Sequence, residues 1–146
     1  QAECGYCRKL QKIKKYNSDP HSYVLRLIQL ARQPSAIKKG RRPCNMELDE
    51  FMNEWQKQYE KTGTICPKLG IQMTYTGGEN KVGTNISIDR INGKKDYEIG
   101  NVQFVSYIYN IMKQHYTDEE VDEICLLRAG VIKKELENGQ KKVVGG

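Results

Sequence analysis

Residues 85–114 change hydrophobic period once, and that change limits the folds open to the chain. From Asn85 to Ile91 the side chains alternate, with Ile86, Ile88 and Arg90 on one side and Ser87, Asp89 and Ile91 on the other. This is the pattern of a half-buried strand. Asn92-Gly93 is a strong turn signal. Val102 to Val105 can form the partner strand, and Tyr107 to Gln114 reads as a short helix. Two strands followed directly by a helix predict an α+β fold.

The flanks read as helical. Asp19 can cap a helix whose first turn holds Pro20, with Val24, Ile28 and Ala31 on one face. Pro34 should end it. Leu48, Phe51, Met52, Trp55 and Tyr59 recur at helical spacing between Glu47 and Lys61, and Gly63 is a natural stop. Cys66-Pro-Lys-Leu-Gly70 reads as a tight knuckle. Thr117-Asp118-Glu119-Glu120 fits a capping box for a last helix in which Val121, Ile124, Cys125, Val131 and Ile132 are expected to point inward. The organisation expected is a basic arm and helix over residues 1–45, a domain over 46–136 with its core at 85–114, and a frayed polar tail over 137–146.

Charge is unevenly spread. Residues 1–45 carry 11 Lys/Arg against 2 Asp/Glu, whereas residues 46–146 carry 13 against 16. A basic arm on a mildly acidic body points to a polyanionic partner, with nucleic acid foremost. Lys38, Lys39, Arg41 and Arg42 form a basic loop suited to that contact. No apolar run approaches the ~18 residues of a membrane span. The first residues, Gln-Ala-Glu-Cys, lack both an initiator Met and an apolar signal region, so a processed product or a piece of a larger parent polypeptide is expected. The 5 cysteines are odd in number and scattered, which favours a reducing, intracellular compartment over a disulfide framework.

One set of residues carries phosphodiester chemistry. Hydrolysis needs positive charge on the phosphate oxygens, a deprotonated water and a phosphate held in line. Mg²⁺ takes oxygen ligands and usually keeps several waters, so one or two protein ligands suffice. Asp89 offers an anionic oxygen at the end of the first strand, and Asn110 a neutral one from the helix. Arg90 can fork onto a phosphate. Lys113, one turn beyond Asn110, can add a backbone contact. Taken singly, Asp89 also reads as a strand-end turn residue and Asn110 as an exposed helix residue.

In this order, with Gly-Lys-Lys-Asp-Tyr before Asn101, Asp89, Asn101 and Asn110 resemble the HNH, or ββα-metal, nuclease core. The likeness spans roughly residues 64–116. Looser similarity to phage-type and virus-type HNH proteins reaches back through the helix holding Trp55 and Gln58. The resemblance implies a ββα-metal core flanked by N-terminal helices and a C-terminal helix. It also implies Mg²⁺ or Mn²⁺ held by Asp89 and Asn110, a loop braced by Asn101, and DNA as substrate, with RNA also open.

Two departures follow. Most HNH cores have His directly after the metal Asp as general base. This chain has Arg90, which stays protonated. Some HNH restriction enzymes are similar in having Asp-Arg and recruit a base from elsewhere. His115, His21, Tyr59 and Tyr75 are the candidates here. His115 is closest in sequence to Asn110, although five residues along a helix turn it about 140° away. The second departure concerns zinc. Many HNH proteins carry two Cys pairs around the core, but here Cys66 stands with Leu69, Ser106 and Tyr109 in the other places. Cys4 and Cys7 form a CxxC pair that resembles a zinc knuckle without a second pair. The readings carried forward are a metal-dependent DNA endonuclease, an HNH-fold DNA-binding module without catalysis, and a zinc-knuckle interaction domain. Cutting both strands would call for a homodimer.

Overall fold

The computed structural model describes residues 4–34, 39–40, 42–77 and 82–139. Of the basic-loop residues, Lys38 and Arg41 lie outside the described residues. The element order is α1 (Gly5–Tyr16), α2 (Pro20–Ala31), α3 (Leu48–Thr62), β1 (Ile86–Arg90), β2 (Val102–Ser106), α4 (Tyr107–Lys113) and α5 (Asp118–Glu137). The chain is therefore α+β. Among the described residues no helix is long and apolar enough to cross a membrane.

The helix signals act where the sequence put them. The Asp19 carboxylate accepts from Ser22 N at 2.9 Å, and Pro20 opens α2. Gly63 ends α3 at φ 57°, a left-handed value that disfavours side chains with a Cβ. Thr117 Oγ1 accepts from Glu120 N at 3.2 Å while the Glu120 carboxylate accepts from Thr117 N at 2.8 Å, which closes the capping box of α5. Helix α1 was not expected. Its run of Arg, Lys, Leu and Gln has high helix propensity, and Tyr6, Leu10 and Ile13 recur at helical spacing, a signal that the density of basic residues obscured.

β1 and β2 pair antiparallel, with Ile86 opposite Ser106, Ile88 opposite Phe104 and Arg90 opposite Val102. One face of this hairpin packs on α2 and α3. Phe104 meets Trp55 edge-on at 5.1 Å and Phe51 at 6.5 Å, and Val24 and Ile28 of α2 are fully buried in the same core. The charge boundary near residue 45 is thus not a packing boundary. Gln58 of α3 covers the outer edge of β2. Its Nε2 donates to Phe104 O at 2.7 Å and its Oε1 accepts from Phe104 N at 2.9 Å. The side-chain amide stands in for a third strand at an edge that would otherwise bury unpaired backbone groups.

The knuckle at Cys66 closes through Cys66 N to Ile71 O (2.8 Å) and Gly70 N to Cys66 O (2.9 Å). The buried Cys66 sulfur accepts from Ser106 N at 3.3 Å. Thus Cys66 and Ser106, 40 residues apart, come together, while Leu69 stays exposed.

The C-terminal helix corrects an expectation. Val121 is buried, but Ile124, Cys125 and Val131 are exposed and Ile132 is only half-buried. The periodicity of α5 is weak, with Leu126 opposite the other apolar residues and Arg128 and Glu135 among them. It could not show that the body stops supplying a surface for the helix after the first turn.

Candidate functional site

The other face of the hairpin is polar. Alternation places Ser87 and Asp89 of β1 and Gln103 of β2 under α4, which follows β2 without a loop. The side chains of α4 that reach down onto this face are Tyr109, Asn110 and Lys113.

Lys113 is fully buried and carries four contacts from its ammonium. Nζ lies 2.7 Å from Asp89 Oδ2 and 2.6 Å from Asp118 Oδ1, and it donates to the carbonyls of Arg90 and Ile91 at 2.5 and 2.8 Å. Gln103 Nε2 donates to Asp89 Oδ2 at 2.8 Å and to both oxygens of Asp118 at about 3 Å (3.1 and 3.0 Å). Tyr109 donates its hydroxyl to Asp118 Oδ1 at 3.0 Å, and Lys68 pairs with Asp118 Oδ2 at 2.6 Å. Two carboxylates thus face two ammonium groups, so the cluster balances its charge, as a buried ionic group must. Burial pushes the Asp89 carboxyl up, against the pull of the Lys113 and Gln103 hydrogen bonds. Burial acts on Asp118 too, but hydrogen bonds from Lys113 and Lys68 outweigh it and hold that carboxyl below the usual range. Tyr109 is raised by burial and by the adjacent Asp118.

The expectation that Lys113 contacts a nucleic-acid backbone is corrected here. A side chain with no exposure, tied to two carboxylates and two carbonyls, is an interior strut. Gln103, Asp118, Lys68 and Tyr109 were missed as its partners. The signal available was slight: Gln103 is the one polar residue between Val102 and Val105, and Asp118 read only as a first-turn acid.

Beside the outer edge of β1 runs a groove of about 490 Å³ bounded by Leu27 and Ala31 of α2 and by α4. Among the described residues, Ser87, Arg90, Tyr97, Asn110, His115 and Arg42 supply its polar lining, and no carboxylate belongs to it. Arg90 Nη1 donates to the carbonyls of Gly93 and Lys95 at 2.7 and 2.8 Å, and its guanidinium lies over the Tyr97 ring at 5.5 Å. The cation is thereby fixed, with its remaining donors free of acceptors among the described residues. Arg42, an exposed residue, sits 3.6 Å from Asp96.

Asn110 Nδ2 donates to Ser87 Oγ at 2.8 Å and to Ile88 O at 2.9 Å. The Ile88 carbonyl fixes the amide orientation, because only the NH₂ group can donate to it. The Asn110 carbonyl oxygen has no protein partner among the described residues. The same holds for Asp89 Oδ1, since both hydrogen bonds to that carboxylate go to Oδ2. No buried side-chain polar atom among the described residues lacks a partner, so both oxygens meet solvent. They are the two donors left for a hard cation. Asp89 itself lies behind the groove rather than in its lining.

Asn101 closes the loop over the hairpin end. Its Oδ1 accepts from Asn92 N at 2.8 Å, and its Nδ2 donates to Asp96 O at 2.9 Å and Asn92 O at 3.2 Å. Gly93 of the same loop lies against the backbone of His115, where an added Cβ would come within 2.4 Å of the carbonyl. The turn therefore sets where His115 stands. His115 is exposed, lines the groove and stacks on Tyr116 at 4.8 Å. The other base candidates are elsewhere. His21 Nδ1 accepts from Trp55 Nε1 at 2.9 Å and its ring packs on Tyr59 at 4.6 Å, between α2 and α3. Tyr75 packs against the core.

The described part of the arm presents other features. Lys39 is exposed. Cys4 and Cys7 are exposed at the start of α1 with their sulfurs 3.1 Å apart. Among the described residues no three His, Cys, Asp or Glu side chains converge on a point that could hold a metal. A carboxylate paired with an amide, as at Asp89 and Asn110, is not such a group.

No family model, no curated protein and no solved structure matches this chain.

Proposed function

We propose that the chain is an HNH-like phosphodiester hydrolase domain acting on DNA, with β1, β2 and α4 as its ββα-metal core. The observation that carries this reading is the groove along β1, whose described lining holds no carboxylate and includes both the anchored Arg90 and Asn110. A groove that offers guanidinium, amide and imidazole groups without an acid suits a phosphate backbone. Asp89 Oδ1 and Asn110 Oδ1 would hold a Mg²⁺ or Mn²⁺ ion, which supplies charge stabilisation to the phosphate oxygens when bound. Lys113 and Gln103 keep the second Asp89 oxygen occupied and so fix the carboxylate in place. Arg90 orients the phosphate. His115, which lines the same groove, would take the proton.

One observation favours a second reading. A carboxylate clamped by a fully buried ammonium is a poor ligand, which is what a domain that binds DNA without cutting it would show. Plasmid cleavage across Mg²⁺, Mn²⁺ and EDTA, beside salt-dependent DNA binding, separates the two. The hydrolase reading expects metal-dependent nicking that Asp89→Asn and Asn110→Ala abolish while binding persists. Binding without cleavage by the unaltered chain would establish the second reading instead.

A further inference from the structure

Beyond its first turn, α5 leaves the body. Asp118 and Val121 are buried, and then every residue from Asp122 to Val131 is exposed. Among them are large apolar side chains: Ile124 is 54% exposed, Leu127 74% and Val131 49%, with Leu136 at 41% further on. At 100° per residue these fall with Ile132 on one half of the helix surface, while Leu126, also 74% exposed, stands on the other. Such a row left in water needs a partner. In the middle of this half stand Arg128 and Glu135, joined at 3.5 Å across two helical turns.

The charges say which partner fits. The start of α5 holds Asp118, Glu119, Glu120, Asp122 and Glu123, and its later part mixes Arg128, Lys133 and Lys134 with Glu135 and Glu137. Two copies aligned in parallel would set acid against acid. An antiparallel pair with its two-fold axis between Val131 and Ile132 sets Arg128 against the partner's Glu135, twice by symmetry. It also sets Leu127 against the partner's Leu136. The acidic starts then lie at opposite ends of the pair, roughly 40 Å apart at 1.5 Å per residue, so neither the like charges nor the two bodies collide. The pattern is self-complementary, as an isologous contact requires.

We propose that α5 is a homodimerisation helix whose occupant is α5 of a second copy, packed antiparallel with reciprocal Arg128–Glu135 pairs. A contact of one helix per partner belongs to the small, weak class of interfaces, so association in the micromolar range is expected, about 10 µM. The inference stands independently of the hydrolase reading.

Sedimentation velocity on the 146-residue chain up to about 200 µM tests it, since that range spans the expected constant. The unaltered chain should pass from monomer to dimer. Leu127→Glu should remain monomeric, with unchanged helix content by circular dichroism. Arg128→Glu alone and Glu135→Arg alone should each fail to self-associate, because each doubles a like-charge contact. Mixed together, they should form a heterodimer. A chain that stays monomeric at the top concentration overturns the proposal. So does a dimer that survives Leu127→Glu, or a mixture that does not associate while the unaltered chain does.

Discussion

The two faces of the β1–β2 hairpin are built from alternate residues of the same strands. One face is dry. Ile88 and Phe104 sit opposite each other and pack with Phe51 and Trp55. The other face, one residue along, holds Asp89 opposite Gln103, roofed by Lys113 and closed by Asp118. Both are buried, but by different physics. The dry face gains from area removed from water and from contact. The polar face gains little net energy and requires that every charge keep its partner. The dry face therefore fixes the position of the hairpin, and the polar face fixes the position of the charges on it.

The largest effects should come from removing one member of each face. Phe104→Ala is expected to cost about 3–5 kcal/mol through the cavity it leaves. Lys113→Met should cost about as much, ~3–5 kcal/mol, by leaving the buried Asp89 carboxylate without a cation and Asp118 with Lys68 alone. Their pH dependence should separate them. Unpaired buried carboxylates have raised folded-state values, so the Lys113→Met penalty is full at neutral pH. It should fade as the pH falls toward about 4 and the acids take up protons. The Phe104→Ala penalty should stay constant over the same window. Urea unfolding at several pH values reads both, and parallel pH profiles would dissolve the distinction between the faces.

Smaller effects sharpen it. Gly93→Ala forces the turn away from the His115 backbone, and overpacking of this kind costs about 1–3 kcal/mol. It should also lower cleavage more than DNA binding. Gln58→Ala removes the amide that pairs with Phe104 at the outer edge of β2, at about 1–3 kcal/mol for the backbone groups left unsatisfied. Because this edge supports the dry face, metal-dependent activity per folded molecule should not change.

The smallest effect is at Asp19. Loss of this cap should cost about 1 kcal/mol of α2 stability. Hydrogen bonds from Ser22 hold its carboxyl down at about 2. A depressed acid contributes stability that is present above its unfolded value of ~3.9 and lost as the pH falls through the folded one. The difference between the unaltered chain and Asp19→Ala should therefore vanish below about pH 2.

Much of the frame was legible in the sequence because its signals are local. The Asn92-Gly93 turn, the alternation around Asp89, the caps at Asp19 and Thr117 and the stop at Gly63 each act within a few residues. The expected site was legible in part. Arg90, Asn110 and His115 do share one groove, but Asp89 stands behind it, and Lys113 is an interior strut rather than a surface cation. No local rule announces that Lys113 will meet Asp89 from 24 positions away. Nor does any rule say that Gln58 will pair with a strand 46 positions on.

By itself, then, the sequence determined the elements, their order and which side of each is apolar, since these follow from backbone propensity and period. Only the tertiary structure decided what each side meets. It turned one hairpin face into a dry core and the other into a neutralised ion cluster. It also left the apolar side of α5, which the sequence pointed inward, facing water. Burial depends on which distant surface arrives, and that depends on packing the whole chain at once.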